Sequence, residues 1–404
     1  MPDPGETGAR APVGARRAKV AHLTTTDISL RYLVLAQLQA IRDAGGEALG
    51  ISAPGPFVDD LEREGIRHVA LPSSTRTVSP ADDVRTMIEL WRVLRRERPD
   101  VLHVHNPKPG LYGRVVGRAA RIPIIVNTLH GLYATELDRW PKRLAVYALE
   151  AMAARCSDAE LVQNPEDLAL LRRWHISPAA RLLGNGVDLR RFDPARFDAA
   201  HRQATRADLG IAPDVVVVGT VGRLVAEKGY PELFEAIARL DPRRYRLLVI
   251  GGEDPSKVDA LTSEAVAAAR DRGVRVLGHR EDVDALYAAM DLFVLASHRE
   301  GYPRAAMEAA AMGLPLIATD VRGCRQVVDH GRNGLLVPVR DPNGLAEAID
   351  RIGGDTDLRT KMGTASRAIA LERFDERAVV CRVLDTYRHL AARKGLPLRF
   401  TEPA

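Results

Sequence analysis

Short aliphatic runs alternate with amphipathic segments along nearly the whole chain, and the alternation starts over once. Runs at 19–23, 48–51, 68–71, 101–105, 124–127 and 159–162 have strand length and β-branched content. Between them, 30–44, 59–64, 83–98, 110–120 and 140–156 carry helical apolar spacing. A turn-rich stretch with Gly184, Asn185, Gly186 and Pro194 interrupts the pattern, and 196–209 reads as a polar helix. The pattern then restarts with strands at 215–218, 246–250, 274–277, 292–295, 315–318 and 334–337. Helices at 231–240, 256–272, 283–290, 305–312, 342–352 and 357–370 alternate with them. A last helix, 376–394, is long enough to return to the first half.

Such alternation specifies an α/β protein with doubly wound parallel sheets. With 404 residues the chain exceeds one ordinary core, so two Rossmann-like domains are expected. The boundaries read as a disordered tail 1–18, an N-terminal domain 19–195, a C-terminal domain 196–374 and a returning segment 375–404. Ligands sit beyond the carboxyl ends of strands in such sheets, so two of them facing across a cleft would enclose a site.

Charge and composition narrow the function. The net charge is +5 and the pI about 9.2, which suits phosphate-bearing ligands or an anionic membrane. Aromatics make up 5% and interleave with no basic stretch, so nucleic acid is not an expected partner. Cys156, Cys324 and Cys381 are too widely spaced for a metal-ligand pattern or disulfide framework. No apolar run reaches the roughly 18 residues a membrane span needs, and the first 18 residues lack the apolar core of a signal peptide. A cytoplasmic protein is expected, at most touching the inner face of the membrane.

The chemistry-bearing residues cluster after strands. Strand 215–218 runs into Gly222-Arg223, with Lys228 five residues beyond Arg223 and just before a helix. A guanidinium and an ammonium around such a loop can clamp a diphosphate. Further on, Glu300-Gly301-Tyr302-Pro303-Arg304 breaks the backbone before a helix that carries Glu308. Loop and helix start then offer two carboxylates to one polyhydroxylated ligand and free N–H groups to an anion. His130 follows the strand at 124–127 and precedes Gly131. His103 and His105 point to one side of their strand; with no third ligand in the sequence nearby, an acceptor-side or structural role is expected rather than a metal. The Asp282-x-Asp284 and Asp355-x-Asp357 pairs precede helices and read as caps. No glycine-rich dinucleotide or P-loop fingerprint occurs.

Taken together, Gly222-Arg223-Leu224 with Glu227-Lys228-Gly229, Gly278-His279-Arg280-Glu281-Asp282-Val283, Glu300-Gly301-Tyr302-Pro303 with Glu308-Ala309, and Asn333-Gly334-Leu335 resemble retaining GT-B glycosyltransferases of family four. His105 to Gly113 and Gly323 to Val328 resemble the subgroup that builds bacterial exopolysaccharide and lipid-linked oligosaccharides. The resemblance implies that Glu300 holds donor-sugar hydroxyls, Glu308 the ribose, and Arg223 and Lys228 the diphosphate. It places the base near Arg280 and Val283, the backbone of Gly301, Tyr302, Pro303 and Arg304 near sugar and phosphate, and His130 near the donor sugar. Thr24-Thr25-Thr26-Asp27 stands where many relatives have a glycine-rich loop.

The expected activity is therefore hexose transfer from a nucleoside diphosphate sugar, UDP-linked, to a glycan or polyprenyl-diphosphate-linked acceptor. It would proceed with retention, without metal or other cofactor. A sugar-nucleotide epimerase and a non-catalytic nucleotide-sugar-binding protein are the alternatives. Segment 83–98 and the basic run Arg139 to Arg143 raise peripheral contact with anionic lipid, although most apolar residues of 83–98 are expected to pack on the sheet.

Overall fold

The computed structural model describes residues 16–400 apart from 78, 106, 135–137, 254–256 and 258. The chain divides into two compact units: one comprises the residues up to Leu183 plus those from Val379 onward, the other Gly184–Ala378.

In the first unit the strands are β1 (Arg16–Arg17), β2 (Lys19–Thr26), β3 (Glu47–Ala53), β4 (Arg67–Ala70), β5 (Val101–His105), β6 (Ile124–Leu129), β7 (Ala159–Val162) and β8 (Arg181–Leu182). Seven of them form a parallel sheet in the order β4-β3-β2-β5-β6-β7-β8. The order reverses between β2 and β5, the switch point of a doubly wound sheet. The central strands β2 and β5 are buried along nearly their whole length, with histidines and threonines set among the apolar residues. Val20 and Val101 point into one cluster, which helix Glu376–Arg393 covers with Val379, Val383, Leu384, Tyr387 and Leu390. Ala21, Leu102 and Val104 point into the other.

The second unit contains β9 (Val216–Val221), β10 (Tyr245–Ile250), β11 (Arg275–Val276), β12 (Leu292–Leu295), β13 (Leu316–Thr319) and β14 (Gly334–Val337). All pair in parallel in the order β11-β10-β9-β12-β13-β14, with the switch between β9 and β12. Apolar clusters cover both faces.

Several expectations shift. The division falls before Gly184 rather than at 195, because Val187 bridges to Asp375 and Phe192 enters the second unit's core. Of the expected tail 1–18, residues 1–15 lie outside the described residues; Arg16–Arg17 pairs with β15 (Leu398–Arg399), and Ala18 is fully buried. β2 continues through Thr26 where a loop was expected. The helix expected at 256–272 is Ser263–Asp271; Ala260 bridges to Val225 instead, and part of the stretch lies outside the described residues. Helix Pro165–Arg173 and the edge strand β8 were not anticipated. Asp355 caps its helix by accepting from Leu358 N, but Asp282 turns to Arg280 and Asp284 to Arg196.

Candidate donor site and the histidine cluster

In the second unit the loops after β9 and β12 flank the switch point, where ligands of open α/β sheets bind. The loop after β9 turns at Gly222, whose carbonyl accepts from Tyr230 Oη at 2.6 Å. Lys228 ends a short turn, Ala226–Lys228, and Gly229 then adopts φ +71 to start helix Tyr230–Ala238. A methyl group at Gly229 would stand 2.0 Å from the Ala296 carbonyl oxygen, so glycine lets the two loops touch. His298 N donates to Glu227 O at 2.8 Å, and His298 Nε2 lies 2.8 Å from Glu232 Oε1.

These contacts bring Lys228 Nζ to 2.6 Å from Glu300 Oε1. Ser297 Oγ donates to the same oxygen at 2.7 Å. The ion pair is largely shielded: the Glu300 side chain is 10% exposed and that of Lys228 26%. Gly323 presses on the Glu300 backbone, and the Thr319 hydroxyl donates to the Ser297 carbonyl. Half-buried Arg223 directly follows Gly222, and a methyl at Gly222 would lie 3.8 Å from Lys228 Cδ, so the lysine stem crosses the strand end beside Arg223.

Gly301, Tyr302 and Pro303 lead into helix Arg304–Ala311, whose N-terminus no side chain caps. Arg304 does not reach outward: its Nη1 donates to Gly186 O at 2.8 Å, and Nη2 lies 3.6 Å from Glu376 Oε2. Glu308 accepts from Tyr287 Oη at 3.1 Å. Burial pushes the Glu308 carboxyl above the usual carboxylate range, against the pull of Arg304, the Tyr287 hydroxyl and Arg191. Burial likewise lifts the Tyr287 phenol well above its ordinary value. Val283 opens the helix Val283–Ala289 that delivers Tyr287. Arg280 pairs with Asp282 at 2.8 and 2.5 Å, near the surface.

In the first unit His130 Nε2 lies 3.0 Å from His105 Nδ1. The missing third imidazole beside His103 and His105 is His22, opposite His103 across the β2–β5 pairing. One nitrogen from each of the three falls within 4.8 Å of the others. The sequence reading missed His22 because strand register, and not spacing along the chain, brings it there.

A family model described as "Glycosyl transferases group 1" matches residues 215–355, and one described as "Glycosyl transferase 4-like domain" matches 13–186. The D-inositol 3-phosphate glycosyltransferase of Saccharomonospora viridis is 31% identical over 318 residues, spanning 74% of this chain and 72% of that one. The chain belongs to the family 4 glycosyltransferases of the GT-B type. The UDP-Gal:alpha-D-GlcNAc-diphosphoundecaprenol alpha-1,3-galactosyltransferase of Escherichia coli is 28% identical over 309 residues, 75% of this chain and 79% of that one. Anabaena HepE, solved in complex with UDP, has the same fold: TM-score 0.75 and 22% identity, covering 92% of this chain and 100% of HepE.

Within this glycosyltransferase, Arg223, Lys228, Glu300, Gly301, Tyr302, Pro303 and Glu308 border one switch point. Arg280 and Val283 follow the edge strand β11 on the same sheet; His130 belongs to the other unit. Tyr287 and Ser297 were not anticipated. Nothing local marks Tyr287, whereas Ser297 stands three residues before Glu300 and was legible as its partner.

Proposed function

We propose that this glycosyltransferase moves a hexose from a UDP-linked sugar to a hydroxyl of a lipid-linked or glycan acceptor, with retention of anomeric configuration and without a metal ion. The observation that carries the reading is the shielded Lys228–Glu300 pair at the β9–β12 switch point. Lys228 has three donors, so it can hold Glu300 and a phosphate oxygen together. Arg223, Lys228 and the uncapped helix start meet the charge that develops on the departing diphosphate. Both recorded bonds to Glu300 fall on Oε1, which leaves Oε2 for sugar hydroxyls. Glu308, oriented by Tyr287, accepts from the ribose. The departing phosphate takes the acceptor's proton on the face it leaves, so no side-chain nucleophile is needed. His130 contacts the donor sugar, and Arg280 and Val283 lie toward the base. The nucleotide sugar is a substrate, and no cofactor enters this reading.

The named relatives favour transfer over the epimerase and non-catalytic alternatives. One of them carries a diphosphoundecaprenol acceptor in its name, which supports a lipid-linked acceptor here. No helix among the described residues is long and apolar enough to cross a membrane. Helix Pro80–Glu97 buries Leu90, Val93 and Leu94 but leaves Val84, Ile88 and Trp91 half-exposed among arginines, and Trp140 is 72% exposed beside Lys142 and Arg143. That supports peripheral contact with anionic lipid on the cytoplasmic side.

The test is nucleotide release and product formation with a panel of nucleotide sugars and a lipid-linked acceptor, with product anomer read by NMR and chelator present. Lys228→Ala and Glu308→Ala should each lower turnover by at least about a hundredfold while the protein stays folded. Wild-type turnover in either variant removes the site assignment; an inverted anomer or activity lost to chelator removes that part of the mechanism.

A further inference from the structure

His22, His103, His105 and Tyr387 are all fully buried. They occupy the carboxyl end of the sheet face that Val20 and Val101 line and helix Glu376–Arg393 covers. Their polar atoms form one chain. His130 Nε2 meets His105 Nδ1 at 3.0 Å, and His105 Nε2 meets His22 Nδ1 at 2.9 Å. His22 Nε2 meets Tyr387 Oη at 3.2 Å, Tyr387 Oη meets His103 Nδ1 at 2.5 Å, and His103 Nε2 meets Thr128 Oγ1 at 2.7 Å.

Burial keeps these rings neutral: it pushes His22 down to about 3 and holds His103 and His105 well below the ordinary value. A neutral imidazole carries one N–H and one lone pair, so each ring donates on one side and accepts on the other. Tyr387 has one proton and must likewise donate to one histidine and accept from the other. Two patterns run unbroken along the chain, and of these the second also gives the buried Thr128 hydroxyl proton an acceptor, His103 Nε2. In the first, Tyr387 donates to His103, His103 donates to Thr128, and His22 donates to Tyr387. His105 then donates to His22, and His130 Nε2 carries the proton. In the second every bond is reversed and the His130 proton sits on Nδ1. A mixed pattern strands a buried N–H, O–H or lone pair, which a dry interior penalises.

We propose that His22, His105 and Tyr387 are positioning residues that act through this chain to fix which ring nitrogen of His130 carries the proton. His130 then carries its proton on Nδ1 instead of forming a tautomer mixture. The assignment stands on the hydrogen-bond geometry; its consequence for transfer rests on the donor-sugar contact proposed above for His130. The chain also ties that contact to the C-terminal helix, since Tyr387 supplies its central hydroxyl.

The full chain labelled with 15N-histidine should show, in long-range proton–nitrogen spectra, a single neutral tautomer for His130, assigned by its loss in His130→Asn. Tyr387→Phe keeps the ring and removes the hydroxyl; it should turn the His130 signals into a tautomer average. It should lower kcat about tenfold, what one lost hydrogen bond is worth, with donor KM little changed. If Tyr387→Phe does not fold, Thr128→Val cuts the chain at its far end and should give the same averaging. A tautomer mixture in wild type, or His130 shifts unmoved by the variants, overturns the proposal. So does one equivalent of bound metal in the purified protein that is lost in His22→Asn, because a coordinated nitrogen cannot pass on a hydrogen bond. UDP titration separates the two readings: if wild type binds no UDP, the donor-site function fails whatever the spectra show.

Discussion

Glu300 and Lys228 stand 72 residues apart in sequence, yet each was marked by its own surroundings. The Gly-x-Pro break after Glu300 and the strand-to-helix loop holding Lys228 are local features. Their ion pair is not local, and neither is the Tyr287 hydroxyl on Glu308, since both depend on which strands lie side by side. His22 makes the same point and carries a pH consequence. Its folded value of about 3 lies below the ordinary 6.5, so between those limits the unfolded chain binds a proton that the folded chain refuses. Stability should therefore be fully present above about pH 7 and fall as pH drops through 6.5 toward 3. His22, held neutral in this way, contributes about 2 kcal/mol of loss by pH 5, and His103 and His105 act in the same direction. Urea titrations at pH 7.5 and 5 measure it; equal midpoints would show that the imidazoles are not held neutral.

At the scale of elements, strands and helices with strong periodicity read correctly, and the departures have physical causes. The edge strand β8 is two exposed residues, too short to leave an alternation. β2 runs on through Thr26, and Asp27 Oδ2 beyond it accepts from Phe57 N at 2.8 Å, with Gly55 leaving room for the Asp27 carboxylate. Gly229 is a tight joint between the loops after β9 and β12. Gly229→Ala combines a left-handed backbone with a methyl driven into the Ala296 carbonyl, and should cost at least about 2 kcal/mol in urea unfolding, with loss of transfer because Ser297 moves. In the first unit Arg114 is fully buried between Glu150 Oε2 at 2.6 Å and Glu160 Oε1 at 2.8 Å. Burial still raises the Glu150 carboxyl despite that guanidinium. Arg114→Leu would leave two buried carboxylates uncompensated, so the expected loss is about 3–5 kcal/mol by the same assay. A loss below about 1 kcal/mol would mean that water reaches the site.

For the whole molecule, the C-terminal segment matters most. Glu376–Arg393 begins in the second unit, and from Val379 onward its side chains complete the first unit's core. Residues 184–378 hold two apolar clusters and the complete Lys228–Glu300 arrangement of their own. Expressed alone, this piece should unfold cooperatively and gain stability with UDP, by about 2.7 kcal/mol at a hundred times the dissociation constant. Failure to fold would show that the units depend on each other.

From the order of residues alone came the two doubly wound sheets, the strand-end loops that carry Arg223, Lys228, Glu300 and Glu308, and the family, because periodicity, backbone breaks and strand-end motifs are written within a few neighbouring positions. Folding alone decided where the first unit ends, that the supposed tail's Arg16–Arg17 closes a strand pair with Leu398–Arg399, and that His22, His105 and Tyr387 stand in line behind His130. Those relations join residues from tens to hundreds of positions apart, and only strand register and core burial bring such residues together.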